Sequence, residues 1–265
     1  MAALRISKVK GVDVVERYNN LADIYDYLVQ GVDFSGWIDY VVQIMESFNF
    51  KPLSVLDMAC GTGKTLEPLA HRGLKATGVD ISPEMIGRAK ENSQKKGLDI
   101  EYHVADMGDF IGRFGVDLVT CFHDGLNYIL SIEGIKKIFA RVYQNLNPGG
   151  MFIFDLNAIL WIDKLEDSST VAVEEEDFTL IYESCYDKSS LMWTVKLTGF
   201  LRFGEEEAVY KKFKEIHTER GYSPGEINNA LVQCGLTPLA VYDAFSFNSP
   251  ERNSRRHFYV ATKKL

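Results

Sequence analysis

Hydrophobic positions change their spacing twice along the chain, near residue 52 and again near residue 158. Before the first change, apolar residues between Val14 and Asn49 recur at helical spacing, which predicts helical segments. Between the two changes, short apolar runs alternate with amphipathic stretches, as is typical of βαβ units in a parallel sheet. The predicted strands are Val55–Met58, Lys75–Asp80, Ile100–Val104, Val116–Phe122 and Met151–Leu156, and the predicted helices are Lys64–Arg72, Pro83–Lys96 and Ile132–Leu146.

A different pattern follows the fifth predicted strand. Three long, aromatic-rich extended runs joined by short polar turns predict an antiparallel meander inserted at this point. These runs are Leu180–Asp187, Leu191–Phe203 and Ala208–Tyr222. Ser223 then caps a helix that begins at Pro224 and ends at Gln233. Two last runs, Leu239–Phe247 and His257–Thr262, predict a closing antiparallel pair.

These patterns divide the chain into four parts. We expect a helical cover over residues 1–50, an α/β core over 51–157 and the antiparallel insertion over 158–222. Residues 223–265 would add a helix and a hairpin that complete the core sheet. Ligands of such a sheet bind at the carboxyl ends of its parallel strands, so candidate chemistry is sought there.

Composition narrows the choice of partners. The 265 residues are 46% hydrophobic and 25% charged, as in an ordinary globular protein, and the formal net charge of −8 disfavours a nucleic-acid partner. Neither a signal peptide nor an apolar run of about 20 residues is present, so we expect a cytoplasmic protein with no membrane association. The four cysteines lie far apart, which predicts neither a disulfide framework nor a metal site.

A glycine-containing loop, Asp57 to Gly63, follows the first predicted strand and opens a helix. A P-loop would need glycine where Met58 stands, and a dinucleotide-binding loop would need a third glycine where Leu66 stands. S-adenosylmethionine (SAM) carries an ammonium and a sulfonium instead of phosphates. Asp57 suits such a ligand, because its carboxylate can favour a cation or order the loop by hydrogen bonding.

Acidic residues also end the next two predicted strands. Asp80 stands where a carboxylate can accept hydrogen bonds from both hydroxyls of a ribose. A helix cap is the usual role of an aspartate at a strand end, but Ser82 already supplies that cap. Asp106 and Met107 follow the third strand. The sequence therefore favours a nucleoside-like ligand across these strand ends.

With this order and spacing, the chain strongly resembles the class I SAM-dependent methyltransferases, from about Tyr18 to Asn157 and again in the closing hairpin. The resemblance implies a Rossmann-like, doubly wound, mainly parallel seven-stranded sheet with an antiparallel β insertion after strand five. It also implies cofactor-binding roles. The loop from Asp57 to Gly63, which includes Ala59, Cys60 and Gly61, would line the methionine part of SAM. Asp80 would hold the ribose, and Ile81 would pack on the adenine. Asp106 would accept a hydrogen bond from the adenine amino group, and Met107 would supply its backbone amide to the same base. Ala59 replaces the first glycine of the family's loop.

Within this superfamily the chain is similar to small-molecule enzymes such as glycine and sugar-amine N-methyltransferases. Their N-terminal helix often carries tyrosines that close over the cofactor, and Tyr18 and Tyr25 stand at such positions. Packing in the core is an equally good interpretation of both tyrosines. The aromatic insertion could line an acceptor pocket, form its own core or pair with a second copy as a homodimer, and the sequence leaves these alternatives open.

Candidate catalytic residues follow the fourth strand. His123 and Asp124 are expected beside the transferred methyl group, although a histidine in such a loop more often has a structural hydrogen-bonding role. His217 and Glu219 of the insertion could face the same cleft, but a solvated sheet face is the favoured interpretation. The predicted function is in-line methyl transfer from SAM to a small-molecule nitrogen or oxygen acceptor, with S-adenosylhomocysteine as product. The alternatives are an RNA or protein methyltransferase and a SAM- or nucleoside-binding module without catalysis.

Overall fold

The computed structural model describes Tyr25, Val29 and residues 31–158, 168–202 and 209–265. The prediction for Tyr18 lies outside these residues. The helices are α1 (Phe34–Ser47), α2 (Leu66–His71), α3 (Pro83–Lys95), α4 (Ile132–Asn145) and α5 (Pro224–Gln233). The strands are β1 (Ser54–Met58), β2 (Lys75–Asp80), β3 (Ile100–Val104), β4 (Val116–Cys121), β5 (Leu146–Asn157), β6 (Ser168–Glu174), β7 (Phe178–Asp187), β8 (Met192–Arg202), β9 (Tyr210–Arg220), β10 (Leu236–Asp243) and β11 (Arg256–Lys263).

The core is a seven-stranded sheet in the order β10-β11-β5-β4-β1-β2-β3. The strands from β5 to β3 pair in parallel, whereas β11 is antiparallel to both of its neighbours, β5 and β10. Helices α1, α2 and α3 contribute to the hydrophobic core on one face, and α4 and α5 contribute to the core on the other. The predicted doubly wound, mainly parallel α/β fold is therefore confirmed.

A second sheet follows β5. Its four strands are antiparallel throughout, in the order β6-β7-β8-β9, and the predicted antiparallel insertion is confirmed. Phe178, Leu180, Leu197 and Phe213 form its buried core, and Tyr25 packs against this cluster. The insertion is thus in contact with the chain that precedes α1.

Some predicted boundaries are wrong. Strand β5 begins at Leu146, directly after α4, whereas the predicted strand begins at Met151. Strand β6 was not predicted, because it is an edge strand exposed at nearly every position and so lacks hydrophobic periodicity. Strand β10 covers Leu236–Asp243 instead of Leu239–Phe247, since Gly235, with φ 84°, turns the chain directly out of α5.

A glycine controls packing inside the inserted sheet. Gly199 lies opposite Phe213, and a Cβ atom at Gly199 would come within 2.1 Å of the buried phenylalanine ring. Gly199→Ala is therefore expected to lower the free energy of unfolding by about 1–3 kcal/mol, as overpacking does in other cores. Urea denaturation measures this change. The matched control is Gly87→Ala in α3, where no atom lies within 4 Å of the added methyl; an equal effect in both variants would contradict the packing argument.

None of the helices that the structure describes is both long and apolar enough to span a membrane. Among the described residues, no cluster of three or more histidine, cysteine or acidic side chains could hold a metal ion.

Candidate active site

A cavity opens where the parallel core strands end. Its volume, including the open mouth, is about 1080 Å³. The residues that line it are Tyr25, Phe34, Ala59, Cys60, Gly61, Thr62, Lys64, Thr65, Val79, Asp80, Ile81, Met85, Ala105, Asp106, Met107, Phe122, His123, Gly125, Tyr128 and Ile129. Eight of these are predicted cofactor residues, namely Tyr25, Ala59, Cys60, Gly61, Asp80, Ile81, Asp106 and Met107, and His123 is a predicted catalytic residue.

Asp80 is the last residue of β2 and borders the cavity. Its Oδ2 atom accepts a hydrogen bond of 2.9 Å from the backbone N–H of Gly61, and Oδ1 accepts one of 2.9 Å from the backbone N–H of Ser82. Burial raises the pKa of this carboxyl above its usual value. Each oxygen keeps further acceptor capacity. Asp80 can therefore order the loop and bind a ligand hydroxyl at the same time.

The loop after β1 has left-handed backbone conformation at Ala59, Gly61 and Gly63, with φ of 57°, 54° and 82°. Gly61 has open space on its Cβ side, whereas a Cβ at Gly63 would lie 2.6 Å from the hydroxyl of Tyr102. Gly63 accordingly packs against Tyr102 and does not line the cavity. The replacement of glycine by alanine at Ala59 carries a conformational cost of about 1–2 kcal/mol.

Asp57 does not line the cavity either. It is buried beneath the loop, where its carboxylate accepts a hydrogen bond of 2.7 Å from the Thr65 hydroxyl and one of 2.6 Å from the Thr120 hydroxyl. Burial raises the pKa of Asp57 to about 6, and the two threonines oppose that shift. These contacts tie β1 to β4 and to the start of α2. They support the alternative in which Asp57 orders the loop by hydrogen bonding.

The opposite wall combines apolar and acidic residues from the ends of β2 and β3. Ile81 and Met107 supply apolar surface, and the carboxylate of Asp106 accepts a hydrogen bond of 2.6 Å from the backbone N–H of Gly108. Cys60 is buried at the same cavity, and burial raises the pKa of its thiol well above the usual value. The thiol is therefore protonated at neutral pH.

His123 adopts a left-handed conformation with φ 54° and lines the cavity. Its backbone N–H donates a hydrogen bond of 2.8 Å to Asp155, and its ring stacks on Trp37 with the centroids 4.0 Å apart. The Nε2 atom of His123 is buried and has no hydrogen-bond partner among the described residues. A neutral imidazole thus borders the cavity with one unused nitrogen.

Asp124, also with positive φ at 68°, does not line the cavity. Its carboxylate forms an ion pair with Arg256 at 2.5 Å instead. The same guanidinium pairs with the fully buried Asp155 and donates a hydrogen bond of 3.1 Å to the side-chain oxygen of Asn157. Two carboxylates and one arginine therefore hold the His123–Asp124 turn against the ends of β5 and β11.

Another buried side chain joins the insertion to this turn. Asn127 accepts a backbone hydrogen bond of 2.8 Å from Arg220 and returns one of 2.9 Å from its amide to the Arg220 carbonyl. The Asn127 side-chain oxygen also accepts from the backbone N–H of Asn157 at 3.1 Å. The Asn157 amide in turn donates to Glu219 at 3.1 Å. The loop after β4, the end of β5 and the end of β9 therefore meet at Asn127.

The favoured prediction of a solvated face at His217 and Glu219 is wrong. These residues are only 8% and 7% exposed, and Glu215 on the same face is 5% exposed. His217 lies 3.2 Å from the hydroxyl of Tyr128, which lines the cavity. Burial raises the pKa of Glu219, and Asp124 adds to that shift. This face of β9 therefore packs over the loop after β4.

The free energy of unfolding of the wild-type protein is expected to fall in acid because of His123. Replacing His123 with asparagine is expected to abolish this part of the pH dependence. Burial, together with the charge of Arg256, lowers the pKa of His123 to about 4, against about 6.5 in an unfolded chain. Between these values the unfolded chain binds a proton that the folded chain does not. This contribution to the free energy of unfolding is therefore complete above pH 6.5 and is lost as the pH falls towards 4.

The size of this effect is about 3 kcal/mol, from the two pKa values. Urea denaturation of both proteins at pH 4.5 and pH 7.5 measures it, and contributions from other groups cancel in the comparison. Asparagine tolerates the left-handed conformation at this position. The same pH dependence in wild type and variant would mean that His123 becomes protonated in the folded protein.

Comparison with known proteins agrees with the geometry. A family described as a methyltransferase domain matches residues 55–150. A protein of Geobacillus sp. (strain WCH70) that carries the provisional name of a methyltransferase is 29% identical, and the alignment covers 93% of this chain and 99% of the relative. The crystal structure of a SAM-dependent methyltransferase from Clostridium acetobutylicum ATCC 824 is similar with a TM-score of 0.82 and 29% identity, over 94% of this chain and 99% of that one.

A further relative matches over a shorter region. It is a dTDP-3-amino-3,4,6-trideoxy-alpha-D-glucopyranose N,N-dimethyltransferase from Streptomyces venezuelae, 30% identical over 51% of this chain and 56% of its own length. The fold, the loop after β1 and these similarities together support a class I SAM-dependent methyltransferase. SAM is accordingly its cofactor.

The cavity fits this cofactor by its own chemistry. Asp80 and Asp106 present carboxylates that suit the hydroxyl and amino groups of an adenosine, and Ile81 and Met107 suit its flat base. Lys64 is the single lysine or arginine among the described lining residues. A phosphate-rich ligand would face mostly carboxylates, which argues against the two nucleotide alternatives.

Proposed function

We propose that the protein transfers the methyl group of SAM to a nitrogen or oxygen atom of a small molecule. The observation that carries this proposal is the buried contact between the inserted sheet and the loop after β4. It brings His217 of β9 within 3.2 Å of the hydroxyl of Tyr128, a residue that lines the cavity. A cavity bordered in this way by the loop after β4 suits a small acceptor.

The cavity lining supports the following residue roles in this proposal. Asp80 would bind the ribose of SAM, Ile81 would pack on its adenine, and Asp106 and Met107 would bind the edge of the base. The loop at Ala59, Cys60 and Gly61 would contact the methionine part, with Tyr25 over it from the N-terminal side. We retain the same cofactor-binding role for Tyr18, Asp57 and Gly63 as a prediction, with Asp57 acting from beneath the loop and Gly63 through the conformation of the loop backbone.

Bound SAM supplies a methyl group on a positively charged sulfur, and S-adenosylhomocysteine is the product. The protein has to hold the acceptor in line with that methyl group and keep water out. Phe34 and Phe122 give the cavity apolar surface for this purpose. His123 would accept a hydrogen bond from the acceptor through Nε2, and Asp124 would act by holding the turn that carries His123.

The acceptor class is supported by the partial relative from Streptomyces venezuelae, whose name states that it dimethylates an amino sugar bound to dTDP. That similarity favours nitrogen as the methylated atom. An RNA or protein acceptor is less well supported, because the formal net charge is −8 and the described cavity lining carries one lysine. A homodimer through the inserted sheet and a cytoplasmic location stay predictions that rest on the sequence.

Release of S-adenosylhomocysteine tests the proposal. The purified protein is incubated with SAM and one candidate acceptor at a time. The candidate acceptors are dTDP-3-amino-3,4,6-trideoxy-α-D-glucopyranose, a panel of simple amines, a catechol and total tRNA. We expect acceptor-dependent release with at least one small molecule and no release with Asp80→Ala. Turnover on tRNA alone would favour the RNA alternative. Tight SAM binding with no turnover on any acceptor or on a cell extract would favour the non-catalytic module.

A further inference from the structure

Three polar side chains lead from the cofactor cavity into the inserted sheet. Tyr128 lines the cavity, and its hydroxyl lies 3.2 Å from Nδ1 of His217. The other ring nitrogen of His217, Nε2, lies 3.1 Å from Oε2 of Glu215. His217 and Glu215 are 8% and 5% exposed, so the two inner members are shielded from bulk water.

The partners of His217 fix the direction of its hydrogen bonds. The carboxylate of Glu215 can only accept, so it selects the tautomer of His217 with a proton on Nε2. Nδ1 then carries a lone pair and accepts the hydrogen bond from the hydroxyl of Tyr128. This is the arrangement in which a carboxylate orients a histidine and the histidine withdraws a proton from a hydroxyl.

Hydrogen bonds next to Tyr128 hold the loop after β4 against β9. Tyr128 follows Asn127, which exchanges two hydrogen bonds with Arg220 near the end of the strand that carries His217 and Glu215. This connection keeps the backbone segments that carry Tyr128 and His217 next to each other.

We propose that Tyr128, His217 and Glu215 form a proton relay for the acceptor, an inference that rests on the proposed function. The acceptor atom gives its proton to the relay, before the attack if it is an ammonium and during the attack if it is a hydroxyl. Its lone pair attacks the methyl carbon, and the carbon–sulfur electrons leave with sulfur. The proton on the acceptor atom passes to the oxygen of Tyr128, while the hydroxyl proton of Tyr128 passes to Nδ1 of His217. Glu215 stabilises the resulting imidazolium, which later releases its proton to solvent.

The relay defines the acceptor as one whose reacting atom carries a proton that must leave, namely a hydroxyl or an ammonium. Tyr128 is the catalytic residue in this scheme, because it borders the cavity, whereas His217 and Glu215 act through it. Other ionisable groups lie nearby: Glu219 on the same face of β9, and Asp124, Asp155 and Arg256 beyond it. Their charges influence the pH at which the relay operates, so the test compares variants at several pH values.

The first experiment needs no acceptor. In the full-length protein with S-adenosylhomocysteine and ¹⁵N-labelled histidine, long-range NMR correlations report which ring nitrogen of His217 carries the proton. We expect the proton on Nε2, an Nδ1 resonance that shifts in Tyr128→Phe, and a weaker tautomer preference in Glu215→Gln. A proton on Nδ1, or an Nδ1 resonance unaffected by Tyr128→Phe, would overturn the relay.

The second experiment measures turnover with an acceptor from the panel above. Tyr128→Phe and His217→Asn are expected to lower kcat by about 10²-fold or more, the usual contribution of a proton acceptor, with little change in KM. The deficit should shrink as the pH rises, because a deprotonated acceptor needs no relay. His103→Asn is the matched control, since His103 pairs with Glu101 at 3.0 Å in the same i, i+2 arrangement on β3 but at the surface.

Unchanged kcat in His217→Asn would overturn the proposal, as would a kcat deficit that is the same at every pH, because a purely structural defect behaves in that way. If the wild-type protein turns over no acceptor, the proposed function fails and the relay fails with it as a proton path. The NMR result would still show whether the hydrogen-bonded chain exists, so the two failures are distinguishable.

Discussion

Replacing Asp80 with asparagine is expected to weaken the binding of SAM by about 100-fold. The two carboxylate oxygens accept hydrogen bonds from the N–H groups of Gly61 and Ser82, one each. Asparagine has one oxygen and one amide nitrogen, and the nitrogen cannot accept a hydrogen bond. The variant thus loses one bond that orders the loop and replaces a charge-assisted bond to the ribose by a neutral one. Together these changes cost about 2.7 kcal/mol, which corresponds to the stated factor.

Calorimetric titration with SAM and with S-adenosylhomocysteine measures this effect. Asp99→Asn is the matched control, because Asp99 is exposed and lies outside the cavity lining. The two ligands should lose affinity equally, since they share the adenosine. If Asp80→Asn bound both ligands as tightly as the control does, Asp80 would not hold the cofactor and the assignment of the cavity would fail.

Replacing Arg256 with methionine is expected to lower the free energy of unfolding by about 3–5 kcal/mol, as the loss of one partner of a buried ion pair does. Arg256 pairs with Asp124 and with Asp155, which is fully buried. Its guanidinium also lies 5.3 Å from the centroid of the Trp37 ring. Methionine fills part of the space but leaves a buried carboxylate at Asp155 without a cation.

Urea denaturation at pH 7.5 measures this loss, and Arg255→Met is the control because Arg255 is the exposed neighbour of Arg256 in sequence. The pH dependence gives a second readout. Burial raises the pKa of Asp155 and the charge of Arg256 lowers it, so the variant should raise this pKa further. The folded variant then takes up a proton more readily than the unfolded chain, and its deficit should shrink as the pH falls. An equal loss in both variants would refute the argument.

Most of the core sheet could be predicted because its signals are local. Each parallel strand is a short apolar run, and each helix has its own spacing and, in three cases, a serine cap at Ser82, Ser131 or Ser223. The order of such elements largely determines a doubly wound sheet. Strand β6 gives no such signal, since its side chains are almost all exposed.

The burial of Glu215, His217 and Glu219 could not be predicted from the strand itself. Alternating polar residues in an extended run usually indicate a face in water. Here that face is buried by the loop after β4, through contacts between residues about 90 positions apart, such as Tyr128 with His217.

The position of Asp57 could not be predicted from local sequence either, because one of its threonine partners, Thr120, is 63 residues away. Aspartates at the ends of β1 and β2 look alike in sequence, and only the fold shows that one lies under the loop while the other borders the cavity.

The junction at Asn127 has a consequence for how sequences of this architecture can diverge. The described backbone link between the inserted sheet and the loop after β4 lies at the end of β9, while β6 lies at the opposite edge of that sheet. Mutations in β6 and the adjoining hairpin can therefore accumulate without disturbing the junction, whereas a mutation at Asn127 affects the loop after β4 and the inserted sheet together. The far edge of the inserted sheet can then change among descendants of one ancestor while the cofactor cavity stays the same.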